Sequence, residues 1–521
     1  MAPELSDDTF KLIAQMEELN RQLSKIDPGS DSLNLKQAAV LGSLAKCAVD
    51  GEQRVLLGEN KTVRKSVIWM WRFVKTNVEE HDMYIATDPV WNYVHNLARL
   101  TGNLAVKCGN NQTWIARDCE PHMRYVVHFL TSWYYTEEIP DRSMAKAIAR
   151  CLSNVVTENE ETSRVIWTKY MSLPEKDNVI TRLLQYPDRQ TLIATLVFIL
   201  NSLSTNPNQS LSTATKSGGR AICVSLLEMA DRVYENDQEN DMLQLIFNIF
   251  IQLFEGGGLT SLYQNLQSQD GAISPHQITL LKLLDGYVDT KPAAYRDNTF
   301  LPFFLTTTLS TLLQTTKSWT TVDSSSEAEF SPNESLPLVS AATVLVSQML
   351  STTLMAEQTA WEKSTDKQVA GRPILNTLRD PSNAFVELII DVLRRLDELL
   401  PRIQFGVAKS TVAGAGAGAG TPLPDRESLP ASRFQFQKRD LVRLLGILVH
   451  DDPDVQTRVR EAGGVQLILG LCAIDENNPF IREHALFALR NLLHKNSENQ
   501  RIVHEMEPMG KIDENGMLTG I

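Results

Sequence analysis

Apolar residues recur along this chain at intervals of three and four. Leu441, Leu444, Leu445 and Leu448 stand at i, i+3, i+4 and i+7, the spacing that one buried face of an α-helix requires. Ala485, Ala488, Leu489, Leu492 and Leu493 repeat the pattern, as do Phe385, Leu388, Ile389, Val392, Leu393 and Leu396. Strict apolar/polar alternation bounded by hairpin dipeptides is scarce. The Leu-rich run at residues 195–203 suits a buried helix better than a strand. The pattern predicts an all-α chain.

Breaks in the pattern predict the organisation. Residues 204–219 and 315–337 are rich in Ser, Thr and Asn and read as loops. Residues 406–432 hold the Gly-Ala alternation of 414–420, followed by Pro422, Pro424 and Pro430. Such a stretch offers no side chains for a core and reads as a flexible linker or long loop. The expected division is a helical repeat region at 1–405, the linker at 406–432, a C-terminal domain at 433–507 and a tail at 508–521.

The C-terminal part reads as short helix, turn, helix, turn, long helix. Asp452-Pro453 and Asn478-Pro479 each supply a cap and a first-turn proline, and Gly463-Gly464 ends the first helix. That order is the armadillo plan. Leu448 and Leu492, at matching helix ends, lie 44 residues apart, within the ~40–47 of armadillo and HEAT units. The string Ala488-Leu-Arg-Asn491-Leu, with Asn499-Gln500 beyond it, recurs as Leu100-Thr-Gly-Asn103-Leu with Asn111-Gln112. Cys151-Leu-Ser-Asn154-Val keeps the same step, and Leu200-Asn201-Ser-Leu203 is a degenerate copy. Glu255-Gly-Gly-Gly-Leu259 echoes Glu461-Ala-Gly-Gly-Val465. The prediction is an irregular armadillo/HEAT-like α-solenoid, whose core grows by stacking neighbours.

Three strings carry a family resemblance. Phe436-Gln-Lys-Arg-Asp-Leu-Val-Arg-Leu-Leu-Gly446, Val459-Arg-Glu-Ala-Gly-Gly464 and Asp475-Glu-Asn-Asn-Pro-Phe-Ile-Arg-Glu483, followed by Asn491-Leu492 and Asn499-Gln500, resemble the C-terminal domain of the ataxin-10 family over residues 434–506. The Gly-Ala insert resembles that of a fungal-type member. The resemblance implies an armadillo-like α-solenoid in the cytoplasm that acts in cytokinesis or cell survival through protein partners.

Composition narrows the chemistry. A net charge of −13 over 521 residues repels phosphate, so nucleic acid is not an expected partner. The longest apolar stretch read from the sequence, residues 243–254, is too short to span a bilayer, so no membrane insertion is expected. Six cysteines without a CxxC pair suit a reducing compartment such as the cytoplasm. Nine histidines show no HExxH or Cys/His cluster, and neither a phosphate-binding glycine loop nor a nucleophile elbow occurs. Neither a cofactor nor a metal is therefore expected, and the chain reads as a non-enzymatic scaffold whose partners are other proteins. Self-association is compatible with that reading.

The candidate binding groove is the asparagine series Asn103, Asn154 and Asn491, with Phe487 one turn before the last. A primary amide both donates and accepts, so a row of them on third helices can grip a peptide backbone, as in importin-α-type adaptors. Such an adaptor is the alternative function. The competing account has each asparagine bonding neighbouring helix ends. Trp69 and Trp71 cannot both face one core from a single helix, so one of them belongs at a repeat junction or in a surface hot spot.

Overall fold

The computed structural model describes residues 4–25, 35–80, 88–132, 143–234, 240–268, 273–319, 335–366, 371–400, 402–404, 407–409, 434–506, 511–512 and 518–519. Regular structure among them is α-helical, apart from short 3₁₀ turns and two antiparallel ribbons, Arg402–Gln404 with Val407–Lys409 and Lys511–Ile512 with Leu518–Thr519. The chain divides into two compact units, Met1–Leu266 and Gln267–Ile521. The boundary falls inside the region that the sequence reads as one continuous array.

The first unit opens with α1 (Asp7–Leu23) and α2 (Leu35–Cys47). Three-helix repeats follow. They are α3 (Gly51–Glu59), α4 (Lys61–Glu80) and α5 (Asp88–Ala105), then α6 (Gly109–Asp118), α7 (Glu120–Leu130) and α8 (Ser143–Val156). Next come α9 (Glu160–Met171), α10 (Val179–Leu184) and α11 (Arg189–Ser204), then α12 (Pro207–Thr215), α13 (Ser217–Tyr234) and α14 (Asn240–Glu255), with α15 (Leu259–Asn265) starting again. Helices of the same rank pack side by side. Third helices form the row α2, α5, α8, α11, α14, second helices α1, α4, α7, α10, α13, and first helices α3, α6, α9, α12, α15. Each repeat buries its apolar faces against its neighbours, which is how an array builds a continuous core.

The second unit holds α16 (Pro275–Thr290), α17 (Phe300–Trp319), α18 (Leu336–Lys363), α19 (Pro373–Arg379) and α20 (Phe385–Leu399). It continues with α21 (Gln437–Leu448), α22 (Pro453–Glu461), α23 (Gly464–Gly470), α24 (Ile481–Leu493) and α25 (Ser497–Glu505). Here α16, α18, α21 and α24 pack in a row. The 28 residues of α18 are long and apolar enough to cross a bilayer, yet 61% of its apolar window is buried inside the protein, as in the core helix of a packed array. Ser and Thr interrupt its apolar run, so the sequence pattern does not single it out.

A recurrent hydrogen-bond scheme closes each repeat. After each of four third helices the chain turns through a left-handed residue, Lys107, Glu158, Asp451 or Lys495. The residue after it then caps the next helix, and Asn159, Asp452 and Asn496 do so by accepting a backbone N–H three positions on. Four positions past the cap, a polar side chain donates to the end of the next third helix. Gln112 Nε2 reaches Asn154 O at 2.9 Å, Ser163 Oγ reaches Ser202 O at 3.2 Å, Ser210 Oγ reaches Gln252 O at 2.9 Å, and Gln456 Nε2 reaches Asn491 O at 2.9 Å. Helix ends leave carbonyls without intrahelical donors, and the first helix of the same repeat supplies the donor.

Several expectations change. Residues 204–219 are not a loop, because Pro207 starts α12 from the Asn206 cap and Ser217 starts α13. Residues 315–319 complete α17, and 320–334 lie outside the described residues. The last long helix begins at Ile481 with Phe480 as its cap, not at Asn478-Pro479, because the Asn478 side chain is engaged elsewhere. The two glycine strings are not equivalent, since Glu255 ends a third helix whereas Glu461 ends a first helix. Of 406–432, Val407–Lys409 is a paired strand, and the Gly-Ala run lies outside the described residues.

The C-terminal helices dock on those before the insert. Arg379 donates to Leu448 O at 2.8 Å and His450 O at 2.6 Å, and Arg458 makes a two-pronged pair with Glu387 at 2.7 Å. Leu441, Leu445 and Leu492 are fully buried between these layers.

Candidate interaction site at the C-terminal repeats

The asparagine series sits on the last turns of third helices, at one structural position. Asn103 Nδ2 donates to Ala45 O of α2 at 2.8 Å, Asn154 Nδ2 to Gly102 O of α5 at 3.1 Å, and Asn491 Nδ2 to Gly446 O of α21 at 2.9 Å. Each acceptor lies in the last turn of the preceding third helix. Asn201 occupies the same place on α11 and donates to Ser153 Oγ and Thr157 Oγ1. One N–H of each of these amides is thus engaged between repeats. Asn491→Ala should lower stability by about 1–3 kcal/mol, because a buried carbonyl loses its donor. A melting curve matching wild type would show that the bond carries little.

Phe487 lies beside this contact. Its ring rests on Gly446, where an added Cβ would stand 2.9 Å from Cδ1, and the residue is 40% exposed. One turn earlier, His484 is held below the ordinary imidazole range, first by burial and then by Arg443 and Arg439. Phe487 and Asn491 are brought together, whereas Asn103 and Asn154 belong to the other compact unit.

The tightest constellation is one the sequence reading did not assemble. The strings at 436–446 and 475–483 meet at the start of α21. Lys438, 1% exposed, places Nζ 3.3 Å from Asp397 and 3.4 Å from Asp475. Asp397 also binds Arg402 at 2.8 Å. Asp475 accepts the N–H groups of Ile403 and Asn477, and the Asn478 amide at 2.8 Å. Asn478 Oδ1 accepts the Arg439 N–H, and the Phe436 N–H donates to Asn477 O at 3.0 Å. Only the carboxylates contributed by α20 and by the loop before α24 make a buried lysine possible here.

This network fixes two phenylalanines in left-handed backbone, Phe436 at φ +70° and Phe480 at φ +66°. That conformation costs a non-glycine residue about 1–2 kcal/mol, and it persists where the surroundings over-determine it. Arg439 covers the Phe436 ring at 4.5 Å. Phe480 is left 69% exposed, with Ile474 at 51% and Leu486 at 48% on neighbouring segments of the same domain.

A family model described as the Spinocerebellar ataxia type 10 protein domain matches residues 437–520. Human Ataxin-10 is 23% identical over 366 residues, 70% of this chain and 65% of the human protein. The chain belongs to the ataxin-10 family. An Ataxin-10 homolog of Kluyveromyces lactis is 43% identical over 82 residues, 16% of this chain and 15% of that protein. Ataxin-10 of Xenopus tropicalis is 42% identical over 76 residues, 15% of this chain and 16% of that protein. The matched domain takes in Lys438, Asp475 and Asn478 of the buried network, whereas Asp397 and Arg402 precede it. The match to the human protein takes in most of this chain, but just under two thirds of the human length.

Proposed function

We propose that the protein is a non-enzymatic, cytoplasmic scaffold that regulates cytokinesis or cell survival by holding other proteins. The observation that carries this reading is the exposed Phe480, kept in strained backbone by the buried network of the ataxin-10 domain. An aromatic side chain held out at a cost in stability suits partner contact better than packing. Partners are other proteins, a second copy of the chain among them, and neither nucleic acid nor membrane insertion belongs to the reading. An importin-α-like adaptor would grip a peptide with such amides, and here each already gives one N–H to a helix end, which favours the scaffold reading.

Phe480→Gly is the informative variant, since glycine accepts φ > 0 without strain. The melting temperature should hold or rise. In proximity labelling of the full chain, proteins marked by wild type should fall away in the variant. An unchanged set of labelled proteins would remove Phe480 from the interaction surface.

A further inference from the structure

The second surface of interest is the outer side of α4. Trp71 is fully buried and donates its Nε1–H to Thr101 Oγ1 at 3.0 Å, which resolves the paired tryptophans. Trp69 is turned the other way and is only half-buried. It stacks on Phe73 with centroids 5.2 Å apart and planes 21° from parallel. Lys61, Lys65 and Arg72 are exposed on the same outward side of the helix, the first two one turn apart and the third two turns beyond. No carboxylate among the described residues lies within ion-pair reach of these three cations. Three other carboxylates of these repeats are engaged: Glu79 by Lys75, Asp118 by Arg117 and Arg64, and Glu120 by Arg124 and Lys169. Lys75, further along α4, lies 5.1 Å above the Tyr125 ring of α7.

We propose that this face of α4 binds a short acidic peptide segment of a partner protein. An apolar side chain of the peptide would lie on the Trp69–Phe73 stack, and its carboxylates would meet Lys61, Lys65 and Arg72. Stacked aromatics flanked by an arginine have the composition of an interface hot spot. The overall charge of −13 selects among anions. An extended polyanion, whether nucleic acid or an anionic membrane, must approach the acidic remainder of the surface. A peptide of a few carboxylates feels mainly the local cations, because screening limits the reach of the rest to about 8–10 Å. The surface is separate from the Phe480 region and does not depend on it.

The test uses the full chain and a fluorescent peptide of about a dozen residues with glutamates around a central leucine pair, the length of ordinary groove ligands. Controls are its glutamine counterpart, a heparin fragment and phosphatidylserine vesicles. Polarisation should show saturable binding that weakens with added salt and falls at least tenfold with the glutamine peptide. It should fall as far in Lys65→Glu/Arg72→Glu, whose exposed positions leave the melting curve in place, and in Trp69→Ala. The proposal is overturned if the charge-reversed protein binds the glutamate peptide as wild type does. It is equally overturned if heparin or vesicles bind more tightly than the peptide with the same dependence on Lys65 and Arg72.

Discussion

Lys438→Ala is expected to destabilise the second compact unit by about 3–5 kcal/mol, the range seen when one partner of a buried ion pair is removed. The side chain is 1% exposed and stands between Asp397 and Asp475. Without it, two carboxylates remain in a site that has little water to solvate them. Arg402 and the N–H groups of Ile403 and Asn477 would neutralise them only in part. Lys438→Met separates charge from volume. It keeps most of the aliphatic stem, so a loss close to that of alanine assigns the effect to electrostatics. Adding Asp475→Asn to Lys438→Met should then recover part of the loss. Denaturant unfolding followed through the transition of the second unit reads all three. A loss under about 1 kcal/mol, the scale of a surface pair, would mean that the remaining donors satisfy both carboxylates.

Gln456→Leu should cost about 2–5 kcal/mol, because several buried polar groups lose partners at once and each costs about 1–3 kcal/mol. The Gln456 amide donates to Asn491 O at 2.9 Å, and its Oε1 accepts from Asn496 at 3.1 Å. Gln112 makes the same clamp in the first unit, donating to Asn154 O and Thr157 O at 2.9 Å and accepting from Asn159 at 2.9 Å. Gln112→Leu is therefore expected to destabilise the first unit by a similar amount. The pair forms a test of the repeat scheme, read by hydrogen exchange of α8 and α24. Protection lost in both helices supports the clamp as the closure of each repeat. Loss in one alone would make the recurrence a coincidence of geometry.

Much of the helical content was legible in the sequence, because a period near 3.6 is a local property that needs no knowledge of neighbours. The matched strings around Asn103, Asn154 and Asn491 also gave the right correspondence, since all three lie on third helices. Local composition misled at residues 204–219. Their Ser, Thr and Asn residues read as loop but cap α12 and donate from it to neighbouring helices. A polar side chain looks the same in sequence whether water or a neighbouring helix end receives its hydrogen bond. The same limit applies at the candidate site. Four residues of the chain, Asn103, Asn154, Asn491 and Phe487, stood out by spacing. What the asparagines bond depends on carbonyls about 45 to 58 residues away.

Tertiary structure decided the rest for one physical reason: burial and charge pairing are set by chain segments far apart in sequence. Lys438 is buried because Asp397 lies across a long insert and Asp475 arrives from the next repeat. Phe480 caps α24 in left-handed backbone because Asn478, the expected cap, is held by Asp475 and the Arg439 N–H. Trp69 and Trp71 were separable by helix geometry alone, but which of them faced outward was fixed by Thr101 on α5. The sequence by itself determined helices, their repeat order and the family strings; stacking determined which side chains became joints between repeats and which were left for partners.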